Sequence, residues 1–223
     1  MRVLVTGAAG LLGRAVVPLL RSMGHVTVTL DCDVRVRGEF DHRVNLIEPV
    51  DDSGRDQLGR AMRDIEAVVH LAGRRASVAL QEKLAADLLL DNLAIDTNVF
   101  RAMRAHGVKR GVYASTVSVY GTRFADEIEF PEDIGEFAYS ERHADRLPDD
   151  SVRFSAWGKL TAERAVEAMN LQDSSSISVV RLVNTYGPHD NFGDDALVIP
   201  ALIKRLAATP RITLDGADNQ RDF

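Results

Sequence analysis

The chain has 223 residues, 45% of them hydrophobic and a single one cysteine, which is material for one full core and the beginning of a second lobe. Thirty-three acidic against twenty-seven basic side chains give a net charge of -6 with no basic stripe, so nucleic acid is not an expected partner. Cys32 has no second cysteine to pair with, which excludes an intrachain disulfide framework and makes a reducing, cytoplasmic setting the expectation. No run reaches the roughly 18 consecutive apolar residues of a membrane span, and no membrane partner is expected.

Met1 to Leu20 is apolar but broken by Gly7, Gly10, Gly13 and Arg14, a strand, turn and helix rather than a signal peptide. In chain order, short β-branched runs at Arg2–Thr6, Val26–Leu30, Asp41–Val44 (weakly), Ala67–Leu71, Arg110–Ser115 and Ser178–Leu182 read as strands. Segments of helical period fall at Leu12–Met23, Gly54–Arg63, Leu80–Ala105 and Trp157–Asn170. This alternation predicts an α/β fold, a doubly wound parallel sheet with helices on both faces. Thr122 to Arg153 and Thr185 onward, richer in Asp, Pro and Gly, read as insertions above the sheet. The first holds ten acidic residues between Asp126 and Asp150 against Arg142 and Arg146; without tight His/Asp ligand spacing it is a solvated loop, and no metal is expected.

The chemistry starts at Gly7-Ala-Ala-Gly10-Leu11-Leu12-Gly13, between the first strand and first helix. Gly7 permits the tight turn, Gly10 removes a Cβ where a diphosphate must approach, and Gly13 lets helix and strand pack closely. Leu11 and Leu12 open the helix whose N–H groups face the phosphates. Asp31 ends the next strand, where a carboxylate accepts from both ribose hydroxyls. That carboxylate repels a 2′-phosphate and so favours NAD over NADP; Arg35 and Arg37 are the competing hint.

These glycines, together with Asn45-Leu46, His70-Leu71-Ala72-Gly73, Asn92, Val112 to Gly121 and Arg181 to Pro188, resemble the extended short-chain dehydrogenase/reductase family, the sugar-nucleotide epimerases and dehydratases, along the whole chain. The resemblance implies a Rossmann domain over residues 1–183, carrying the insertion 122–153, and a partial substrate lobe over 184–223. It implies that Asn45 and Leu46 contact adenine, that Leu71, Ala72 and Gly73 line the nicotinamide-side phosphate and ribose, and that Asn92 helps hold the cofactor. Asn45 stands where an acid is usual, and an amide can still accept from an adenine amino group. His70, at the end of a buried strand, reads as a hydrogen-bonded structural histidine.

Thr116 matches the family's catalytic Ser/Thr, whose hydroxyl binds the substrate oxygen that loses its proton. The family then places a tyrosine four residues before a lysine, so that the ammonium lowers the phenol pKa. Lys159 is present, but Ser155 stands where the tyrosine would be. An aliphatic hydroxyl is too weak an acid for that work. Either the chemistry is lost and the pocket kept, or another group is the base, with Tyr139 and His143 in the insertion the candidates, or the tyrosine has been replaced deliberately. Lys159 would still bridge the nicotinamide ribose hydroxyls.

In the same resemblance Asn184 contacts nucleotide-sugar phosphates and Arg221 pairs with the diphosphate, a task suited to a planar fork. The stretch Tyr186 to Phe192 is similar to the subgroup handling GDP- or dTDP-linked hexoses. Family members continue past the position of Phe223, so the substrate lobe is expected to be C-terminally truncated. The expectation is an NAD-dependent sugar-nucleotide epimerase or dehydratase-type oxidoreductase moving hydride between a sugar carbinol and NAD, as a homodimer through Leu80–Ala105 and Trp157–Asn170. The alternatives are a non-catalytic NAD or nucleotide-sugar binding protein and a subunit whose helices serve mainly to dimerise.

Overall fold

The computed structural model describes residues 1–32, 40–48, 57–76, 78–81, 83–120, 153–193, 196–209 and 211–213. Its elements are β1 (Arg2–Thr6), α1 (Leu11–Ser22), β2 (Val26–Asp31), β3 (His42–Arg43), α2 (Gln57–Ala61), β4 (Ala67–His70), α3 (Val78–Gln81), α4 (Ala85–Ala105), β5 (Arg110–Thr116), a 3-10 turn (Val117–Tyr120), α5 (Arg153–Gln172), β6 (Ser176–Leu182) and α6 (Val198–Ala208).

The six strands form one sheet in the order β3-β2-β1-β4-β5-β6, and every pairing is parallel. The chain winds outward from β1 to one edge and then, from β4, to the other. This reversal beside β1 leaves a crevice at the carboxyl ends of β1 and β4 where ligands of open α/β sheets bind.

Alternation along β1 splits the core between the two faces. Leu4 joins a large cluster with Leu30, Val68, Tyr113, Val99, Met103 and Val166, which brings α4 and α5 together on that side. Val3 and Val5 pack with Ala8 and Val17 on the opposite face, under α1. The expected doubly wound α/β architecture is therefore present, with both faces of the sheet covered.

Some boundaries differ from the expectation. The run at Asp41–Val44 pairs only through His42 and Arg43, because the Asp41 carboxylate accepts from the Thr29 N–H and hydroxyl, each at 2.8 Å, and so replaces a ladder bond. The helix expected to reach Arg63 ends at Ala61, and Asp64 has a left-handed φ of 58°, which a short acidic side chain tolerates. The expected single helix Leu80–Ala105 is two: Leu84, at φ -115° and ψ 22°, leaves helical geometry and α4 starts after it. Helix α6 was not anticipated at all. The acidic stretch 122–150, with Tyr139 and His143, lies outside the described residues, as do Arg35, Arg37 and Arg221. Among the described residues no helix is long and apolar enough to cross a membrane.

Candidate cofactor and active site

The turn after β1 is built as the glycines require. Gly7 has φ +69°, and a Cβ there would stand 2.7 Å from the Ala72 backbone nitrogen; a Cβ on Gly13 would stand 2.3 Å from the Gly7 carbonyl oxygen. These contacts leave no room for any side chain, so the turn lies close against the loop after β4. Helix α1 begins at Gly10 with no side-chain cap, and its first-turn amides are open to an anion.

Asp31, at the end of β2, is half-buried beside this turn. Its Oδ2 accepts from the Ala9 N–H and its Oδ1 from the Cys32 N–H, both at 2.8 Å. A carboxylate oxygen has more than one acceptor direction, so Asp31 can shape the turn and still receive hydroxyls. A cavity of about 560 Å³ runs past it, lined by Gly7, Gly10, Asp31, Leu46, Ile47 and Gly73 among others. Leu46 is buried and, with Val44 and Ile47, makes an apolar wall suited to a flat base. Asn45 does not line this cavity: it is exposed, its amide nitrogen donates to Glu48 Oε1 at 3.1 Å, and its Oδ1 accepts from the Ile47 N–H at 3.3 Å. Leu11 and Leu12 line a second cavity of about 590 Å³ that shares Gly7, Gly10, Leu71 and Gly73 with the first. A glycine floor, an open helix end and a carboxylate at the edge together fit a dinucleotide.

Residues Leu71, Ala72 and Gly73 form the opposite wall. The Leu71 N–H donates to the Thr6 carbonyl at 3.3 Å and the Ala72 N–H to Thr6 Oγ1 at 3.2 Å. Asn92, buried on α4, accepts from the Arg74 N–H at 2.7 Å and donates to the Arg74 and Leu88 carbonyls at 2.8 Å. Both of its amide hydrogens are thereby used. It acts on the wall by fixing the loop that carries Gly73.

A buried polar chain leads from this wall toward Lys159. Thr6 Oγ1 lies 2.7 Å from His70 Nδ1. Nε2 lies 3.0 Å from Asp96 Oδ1, and the Tyr113 hydroxyl donates to Asp96 Oδ2 at 2.8 Å. His70 is thus the hydrogen-bonded structural histidine that its position suggested. Lys159 Nζ stands 4.0 Å from Asp96 Oδ1 and 4.6 Å from the centre of the Tyr113 ring.

Burial pushes the Asp96 carboxyl up, but Lys159, the bond and charge of His70 and the Tyr113 phenol together hold it below the ordinary aspartate value. For Lys159 burial wins: it lowers the ammonium below the ordinary lysine value against the pull of Asp96 and Glu163. Burial and the Asp96 charge push the Tyr113 phenol up, so it stays a neutral donor.

Thr116 ends β5. Its Oγ1 accepts from the Ser118 N–H and donates to Ser118 Oγ, both at 3.2 Å. Ser155 and Lys159 lie one turn apart on α5, which packs against β5 and the 3-10 turn. Beneath them Glu163 accepts from the Ser115 hydroxyl and from Arg181, at 3.1 Å for Nε and 2.7 Å for Nη2, tying β5, α5 and β6 together. Asn184, just beyond β6, is exposed.

Sequence reasoning passed over four residues of this region: Asp96, Ile47, Arg75 and Asp190. Asp96 had a readable signal, an acid on the stripe Leu88, Asn92, Ile95, Val99 that α4 buries; the others are joined to the site only by folding.

Many known proteins are similar to this chain in sequence or fold. The chain is 28% identical over 205 residues to the UDP-glucose 4-epimerase of Corynebacterium glutamicum, covering 91% of this chain and 57% of that enzyme. The UDP-glucose 4-epimerase of Bacillus subtilis is 28% identical over 215 residues, or 90% and 58% of the two chains. Among solved structures, the NAD-dependent NDP-hexosamine 5,6-dehydratase TunA superposes over all of this chain and 67% of its own, with TM-score 0.73 and 27% identity. The Thermus thermophilus UDP-glucose 4-epimerase in complex with NAD matches 84% of this chain and 57% of its own, with TM-score 0.62 and 28% identity. The two bacterial epimerases are thus matched over a little more than half their length. Residues 3–223 match the model of the NAD dependent epimerase/dehydratase family, and the chain belongs to that family.

Proposed function

We propose that this chain holds NAD in the crevice between β1 and β4 and belongs to an oxidoreductase that epimerises or dehydrates a sugar nucleotide. The observation that carries the reading is the convergence of Gly7, Gly10 and the Asp31 carboxylate on one cavity. When bound, NAD accepts and returns a hydride, and so oxidises a sugar carbinol transiently. Asp31 takes the hydroxyls of the adenosine ribose, and its charge excludes a 2′-phosphate. The α1 amides and Gly10 receive the diphosphate, and Leu46 and Ile47 flank the base. Lys159, its charge balanced by Asp96, binds the hydroxyls of the nicotinamide ribose. Thr116 binds the substrate oxygen by exchanging its bond to Ser118, and Asn184, with Arg221, serves the substrate's phosphates. Residues 1–183 are the cofactor domain and 184–223 belong to the substrate lobe.

A second reading has a specific observation in its favour. Ser155 places an aliphatic hydroxyl one helical turn before Lys159, where the family uses a phenol as base. A protein that keeps the pocket and binds NAD or a nucleotide sugar without turning it over fits that substitution.

One set of measurements separates the two. Purified protein is titrated with NADH and followed by fluorescence, then mixed with NAD and a panel of UDP-, GDP- and dTDP-hexoses while NADH absorbance and sugar identity are monitored. Binding with altered sugar supports the enzyme, binding without it supports the second reading, and failure to bind NAD, NADH or any of the nucleotide sugars at millimolar levels defeats both.

A further inference from the structure

Two loops that are far apart in sequence meet at the crevice. Arg75 lies in the loop after β4, and its Nη2 is 2.6 Å from Oδ1 of Asp190 in the loop after β6. The Asp190 side chain is 1% exposed while that of Arg75 is 49% exposed. Oδ1 also accepts from the Asn191 N–H at 2.8 Å, and Oδ2 is buried without a hydrogen-bond partner among the described residues. A buried carboxylate with one oxygen unserved is costly unless a cation stays beside it, so Arg75 is held at this place. Arg75 lines both cavities, the one running to Asp31 and the one over the start of α1, and Asp190 lines the second. The two cavities share Gly7 and Gly10, so the ion pair stands where they join, beside the glycines.

We infer that the Arg75–Asp190 pair is a clasp between the β4 and β6 loops that controls entry and exit of the dinucleotide. The inference rests on the proposed cofactor reading. While the pair is closed, the β6 loop is tied to the β4 loop across the glycines that both cavities share. For a dinucleotide diphosphate to reach or leave the α1 amides, the pair must part. Asp190 is then a positioning residue: it sets where Arg75 stands and how fast the crevice opens, and does not itself touch the reacting atoms.

The test measures both rates of NADH exchange by stopped-flow fluorescence on the full chain, in the wild type, D190N and D190E. Asparagine keeps an acceptor for the Asn191 N–H and so preserves the turn while cancelling the charge. D190N is expected to raise association and dissociation rates together by about fivefold, the scale of one partly exposed ion pair, so that Kd changes far less than either rate. D190E retains the charge and keeps exchange near the wild-type rates. Should D190N fail to fold, R75Q opens the clasp from the exposed side; its association rate rises, whereas an arginine that merely attracts the diphosphate would give a fall. Rates in D190N within about twofold of the wild type, a change in only one of them, or a fall in association for R75Q overturns the clasp. Wild-type protein that gives no NADH signal defeats the cofactor reading itself, and the clasp with it.

Discussion

Around β1, α1 and β2 the polar groups that face the crevice are backbone amides and one half-buried carboxylate, Asp31, held by its own neighbours. Around β5, α5 and β6 they are side chains folded inward on each other, Asp96 with His70 and Tyr113, Glu163 with Ser115 and Arg181. The first arrangement is made by two short segments, the glycine turn after β1 and the end of β2. The second needs five separate elements to meet, β4, α4, β5, α5 and β6, and Ser155 lies on one of them. Under the proposed function, the cofactor side is built from local chain geometry, whereas the proton-handling side has its supports in place but carries Ser155 where the family resemblance calls for a phenol.

The largest effect should come from restoring that group. If the proton-handling side is otherwise intact, Ser155→Tyr raises nucleotide-sugar turnover by about a thousandfold, the middle of the range for a positioned acid or base, read as NADH absorbance and sugar product. An unchanged rate would mean that the contrast between the two flanks goes deeper than one residue.

Asp96→Asn attacks the supports instead. It leaves the Lys159 ammonium without its carboxylate and should cost about 3 kcal/mol of folding stability, measured by urea unfolding at neutral pH. The sign with pH follows from the direction of the shift. Asp96 is held below its ordinary value, so its stabilisation is complete above about pH 4, where an unfolded aspartate is ionised, and is lost as pH falls through the folded value. Wild-type stability should therefore drop toward pH 3 more steeply than that of D96N.

On the cofactor side, Gly13→Ala drives a methyl into the Gly7 carbonyl and the Ala8 backbone, with an expected cost of about 2 kcal/mol and weaker NADH binding from the displaced turn. The smallest effect is reserved for Asp31→Ala. Loss of hydroxyl bonds to a charged acceptor should weaken NADH about tenfold without altering the position of Lys159, and calorimetry with NADH and NADPH would read it. An equal affinity for both nucleotides in the wild type would break the assignment of Asp31 to the ribose.

Much of the fold was legible because its signals are local. A strand shows as a β-branched run, a turn at φ +69° as glycine, and an acid at a strand end needs no partner to be noticed. Helix α6 was missed although Val198, Ile199, Leu202, Ile203 and Leu206 have helical spacing, because the Asp, Pro and Gly before them outweighed it. Asn45 was read from its place after β3, but its side chain is engaged with Glu48 and Ile47, an outcome that the spacing does not reveal.

By itself the sequence determined the parallel, doubly wound layout, the glycine turn and the place of Asp31 next to it, because hydrophobic period and backbone permission act within a few residues. Only the tertiary structure decided that Asp96 would face His70 and Lys159, that Asn92 would spend its amide on Arg74, and that Arg75 would meet Asp190. Those pairings join residues from 18 to 115 positions apart along the chain, and a charge or amide finds its partner at such range only when burial removes water as the competitor.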